Sequence, residues 1–110
     1  MKEKIANALA TARAAENGRY AKLLVSDGPL RQTVIALRKG TQLQEHNAPP
    51  AASILVFEGQ VTVNADDEVS MGPGDLYGLT HRRHSVTAED DSVFLLTTVT
   101  NVPGQESHSG

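Results

Sequence analysis

The chain is 110 residues long, carries a formal charge of -3 with an isoelectric point near 5.7, and contains no cysteine. Its length suits one domain around one core, and the missing thiols exclude disulfides, thiolate metal sites and cysteine nucleophiles, which points to a cytoplasmic protein. The acidic balance and an aromatic set of only Tyr20, Phe57, Tyr77 and Phe94 leave little for backbone attraction or base stacking, so nucleic acid is not an expected partner.

Charges at Lys2, Glu3, Lys4 and Arg13 interrupt the first eighteen residues, which therefore do not resemble a signal peptide or a membrane span. Residues 2–16 are rich in alanine, and Ile5, Leu9 and Ala12 fall on one face, predicting a short amphipathic helix that closes at Asn17-Gly18. Alone such a helix is marginal, so its apolar stripe must dock on something larger. Residues 1–18 are thus a helix packed on a β domain at 19–100, and residues 101–110, including His108, have little to bury and read as a flexible tail.

From Tyr20 onward β-branched segments alternate with turn signals, the pattern of an all-β sandwich or barrel. Strands are predicted near 20–26, 30–38, 41–46, 52–58, 60–64, 68–71, 75–79, 84–88 and 92–99. The breaks between them have physical causes. Asp27-Gly28-Pro29 can turn, Gly40 allows a positive backbone angle, Pro49-Pro50 cannot donate to a ladder, and Asp66-Asp67 and Met71-Gly72-Pro73-Gly74 make further turns. The acidic turn at Asp66, Asp67 and Glu68 lacks the spaced ligands of a calcium loop.

The stretch from Gly40 to Gly59 organises the rest. A polar strand carrying His46 runs through Pro49-Pro50 into Ser53-Ile54-Leu55-Val56-Phe57, whose apolar residues occupy both faces. Strand alternation groups the side chains. If His46 points inward, Gln42 and Gln44 do too, while Leu43 and Glu45 point away. Ala52, Ile54 and Val56 share one face, and Arg82, His84 and Val86 another. These groupings suggest a pocket lined by Gln44, His46, Tyr77 and His84, in which an inward Arg82 could hold a carboxylate or phosphate through two hydrogen bonds. Leu55 and Phe57 then face outward, an apolar patch that predicts a homodimer unless the N-terminal helix covers it.

Gly40, then five residues, then His46, with Gly59 closing the segment, resembles the first motif of the cupin family, and Gly74 through His84 resembles the second with one residue deleted. The likeness spans most of the chain. It implies an antiparallel jelly-roll barrel with the interior as the site, and it places His46 and His84 on neighbouring strands facing one another. Ala48 and Ala52 stand where the family carries a second histidine and a glutamate, and Ala88 where it carries an asparagine. Two of the three ligands of the first motif are thus replaced by small residues, so the resemblance implies a small-organic-ligand binder, anionic ligands included, with a degenerate metal site. The alternative it carries is a dioxygenase- or isomerase-like enzyme acting on a small organic acid or phenol. That enzyme would use a divalent zinc, iron, manganese or nickel ion on His46 and His84, with His81 as a third ligand only if its segment turns tightly.

Overall fold

The computed structural model of the protein describes residues 1–44, 51–79 and 84–100. These residues form one helix, α1 (Lys2–Ala14), followed by strands β1 (Arg19–Asp27), β2 (Leu30–Leu37), β3 (Gln42–Gln44), β4 (Ala51–Glu58), β5 (Val61–Asn64), β6 (Glu68–Met71), β7 (Leu76–Gly78), β8 (Ser85–Ala88) and β9 (Ser92–Val99). A five-stranded sheet in the order β1-β2-β9-β4-β7 faces a four-stranded sheet in the order β3-β8-β5-β6, and the paired strands all run antiparallel. This is the antiparallel all-β architecture expected from the turn spacing, in the jelly-roll form that the cupin resemblance implies. The helix stops two residues earlier than expected: Ala15 is already extended, at φ -75° and ψ 141°. Gly18, at φ 71°, serves the turn into β1 rather than the helix end.

Two cores lie on opposite faces of the larger sheet. Between the sheets, Ile35, Leu37, Ile54, Val56, Phe94 and Leu96 meet Val61, Val63, Met71, Val86 and Ala88 from the smaller sheet. On the outer face, Ala8, Leu9 and Ala12 of α1 pack with Val34, Ala36 and Val93, and Ile5, Tyr20, Leu24 and Phe57 border them. The two-sided apolar run of β4 is explained by this division: Ile54 and Val56 enter the barrel, whereas Phe57 turns toward the helix. Each large side chain fully buried in this way contributes about 1.5–3 kcal/mol.

A polar clamp fixes the helix end. The Arg13 guanidinium contacts Asp91 at 2.7 Å, and the Lys39 backbone N–H donates to the other Asp91 oxygen at 2.8 Å. Arg38 donates to the carbonyls of Arg13 and Ala15 at 3.1 and 3.0 Å. The Lys39 N–H, followed by the Arg13 side chain, holds the Asp91 carboxyl below its ordinary value.

Candidate functional site at one end of the barrel

Chain connections assign the barrel two distinct ends. The short corners from β2 to β3, β4 to β5 and β8 to β9 lie at one end. At the other, the starts of β2, β4 and β8 meet the ends of β1, β3, β5, β7 and β9. His84 immediately precedes β8 at this second end. It is 5% exposed and has the strand parity of Val86 and Ala88, both in the barrel core.

Across from it, the inner face of the larger sheet is a series of rungs set by strand register. Leu37 closes the far end. Above it, Ile35, Phe94 and Val56 form one rung, and Thr33, Leu96, Ile54 and Tyr77 the next. The last rung, at the end shared with His84, is Arg31, Thr98 and Ala52, and the Leu79 N–H joins it by donating to the Ala52 carbonyl at 2.8 Å. The gradient matters chemically. The deepest rung carries only large apolar groups, the next adds the Thr33 hydroxyl and the Tyr77 phenol, and the end rung carries a small alanine, a hydroxyl and a guanidinium at the end where the imidazole is buried. Apolar side chains beside a few convergent polar groups are the usual lining of a small-molecule site.

The sequence-predicted site residues divide three ways. His84 and Tyr77 lie toward the core, His84 buried just before β8 and Tyr77 half-buried and directly opposite Ile54. Gln44 and Gln42 do not. Leu43 takes the inner face and packs on the core, while both glutamines are exposed on the outside. There the Gln44 amide donates to Gln42, and Gln42 reaches Ser85 and Thr87. Leu43 sets the phase of β3: its burial is worth more than that of an amide, so the alternation that turns Leu43 inward turns both glutamines outward. His46, His81 and Arg82 lie outside the described residues, and so does the tail at 101–110.

Arg31, Thr33 and Thr98 were missed. Their signal was present in Leu30–Leu37, where Arg31 and Thr33 alternate in phase with Ile35 and Leu37, and in Ser92–Val99, where Thr98 alternates in phase with Phe94 and Leu96. The described residues do not themselves make a metal centre. No group of three or more His, Cys, Asp or Glu among them could hold an ion, and a guanidinium on the same rung would oppose a bound cation.

A separate groove of about 670 Å³ opens on the flank, where the five-stranded sheet overhangs the four-stranded one. Arg19, Ala21 and Ile35 form one wall, and Gln42, Leu43 and Gln44 the other. Its described lining does not include His84.

No family model matches the sequence, and no curated protein matches it. Solved structures do match in fold. A cupin superfamily protein from Desulfitobacterium hafniense is 17% identical with a TM-score of 0.74, over 84% of this chain and 87% of that one. KdgF from a Halomonas species is 20% identical with a TM-score of 0.69, over 83% and 86%. Salicylate 1,2-dioxygenase from Pseudaminobacter salicylatoxidans is 21% identical with a TM-score of 0.75. The likeness covers 97% of this chain but only 35% of that much longer enzyme. The strand order, the two antiparallel sheets packed on a shared core and these likenesses together establish that the chain has the cupin fold, an RmlC-like jelly-roll.

Proposed function

We propose that the protein binds a small organic molecule in the barrel end that His84 closes. The observation that supports this reading is a buried imidazole at the end of the fold where the last rung carries an alanine, a threonine and an arginine, while the rungs farther in are dominated by large apolar groups. Tyr77 lines the rung below, and its phenol can donate to or accept from a polar ligand atom. Neutral imidazole offers one donor and one acceptor, so it can orient a hydroxyl or carboxylate without a metal. His46 and Arg82 complete the proposed lining from outside the described residues, while Gln44 is withdrawn from it.

Small organic acids and phenols screened by thermal shift should give stabilising ligands for the parent chain, and His84→Ala should abolish the shift. If such ligands stabilise His84→Ala as well as the parent, the site lies elsewhere. A second reading, a divalent-metal enzyme, is favoured by one observation: the buried histidine stands at the position of the second motif's ligand. Elemental analysis separates the two, because that enzyme should purify with near-stoichiometric transition metal that is lost in His46→Ala and His84→Ala.

A further inference from the structure

We propose that Arg31 is the carboxylate-binding residue of this site, making the barrel selective for small monocarboxylates with an apolar body. The inference rests on the reading of the His84 end as a ligand site and adds the group that sets ligand charge.

Four observations converge on Arg31. Its register with Thr98, and that of Thr98 with Ala52, place it on the inner face of the larger sheet at the end that His84 occupies. It is half-buried, yet among the described residues the only ion pair joins Arg13 to Asp91, so this guanidinium has no carboxylate partner there. Its Nη1 donates to the Gly28 and Leu30 carbonyls, at 2.5 and 2.9 Å, which tethers one nitrogen to the rim. A guanidinium carries five N–H donors in a planar fork, and the bonds at Nη1 use two. The Nε–H and Nη2 edge, the edge that grips a carboxylate with two parallel bonds, is engaged by no hydrogen bond among the described residues.

The surroundings complete the specification. Thr98 on the same rung and Thr33 on the next present hydroxyls that no hydrogen bond among the described residues engages, so they can donate to a carboxylate oxygen. Beside them Ala52, Leu79 and Leu96 offer apolar surface to the body of the ligand. A cation fixed by backbone carbonyls is oriented before the ligand arrives, which lowers the ordering cost of binding.

Benzoate, with benzamide as its neutral counterpart, tests the assignment on the full chain. Binding is followed by proton–nitrogen spectra of the arginine Nε–H groups and of the histidine ring. Benzoate should shift the resonances of both Arg31 and His84 and bind about tenfold or more tighter than benzamide, as expected for a charge-assisted pair. Arg31→Gln should level the two affinities while leaving the His84 response to both probes, and Arg31→Lys should keep part of the preference. The direct Arg31 resonance in the parent chain decides the matter even if Arg31→Gln folds poorly. Benzoate that perturbs His84 but not Arg31, or a preference that survives Arg31→Gln, would overturn the role of Arg31 and leave the barrel site standing. If neither benzoate nor benzamide perturbs His84, both readings fall.

Discussion

At the scale of single residues, Gly59 and Gly74 show how backbone angle and close packing can be told apart. Both adopt left-handed conformations, φ 89° and 87°, and both sit at positions where the motif spacing calls for glycine. A Cβ on Gly74 would meet nothing within 4 Å, whereas one on Gly59 would lie 2.4 Å from the Asp91 carbonyl oxygen and 2.7 Å from Ser92 Cα. Gly74→Ala should therefore cost only the left-handed penalty, about 1–2 kcal/mol. Gly59→Ala must also push apart the β8–β9 corner, whose Ser92 hydroxyl accepts from the Gln60 N–H at 3.0 Å and donates to the Asp90 carbonyl at 2.7 Å. Denaturant titration should show Gly59→Ala losing about 3 kcal/mol or more. Equal losses in the two variants would mean that backbone angle alone governs both sites.

The helix is the element whose attachment is most open to measurement. Its apolar stripe was legible from Ile5, Leu9 and Ala12, because helical periodicity is local. Its anchor was not, since Arg13 and Asp91 are 78 positions apart. The lowered pKa of Asp91 gives the attachment a pH signature. A carboxyl held below its unfolded value of 3.8 adds stability that is fully present above that pH and is lost as pH falls through the folded-state value. Both partners are largely solvated, at 55% and 30% side-chain exposure, so the contribution is modest. Asp91→Asn should cost about 0.5–1 kcal/mol at neutral pH, and the gap to the parent should close as the pH is lowered below about 3.8. A gap that stays constant through this window would show that the clamp acts through shape and not through charge.

For the whole molecule, the question is what covers the outer face of the larger sheet. The expected patch was Leu55 with Phe57. The fold instead gives Phe57 to the helix and leaves Leu55 in a cross-strand row with Leu95 and Leu76, the last 68% exposed. We propose that a second copy packs on this row to form the homodimer. Light scattering should give a dimer mass at micromolar concentration for the parent chain and a monomer mass for Leu76→Lys, because a cation within an apolar contact is costly to bury. A parent chain that is monomeric would remove the second copy as the cover. No helix among the described residues is long and apolar enough to cross a membrane.

The sequence by itself determined the all-β class, the succession of strands along the chain and the docked helix. These follow from local signals: turn residues where the chain must bend, alternation where one face is buried, and alanine where a helix forms. Tertiary structure alone decided the phase of β3, the partner of Phe57, the Asp91 clamp and the presence of Arg31 on the rung facing His84. Each depends on which sheet a strand joins and what lies across from it, and a one-residue change of register exchanges every inward and outward side chain. Gln44 was misplaced and Arg31 overlooked for that one reason: alternation groups the residues of a strand into two faces, and only the opposing sheet says which face is inside.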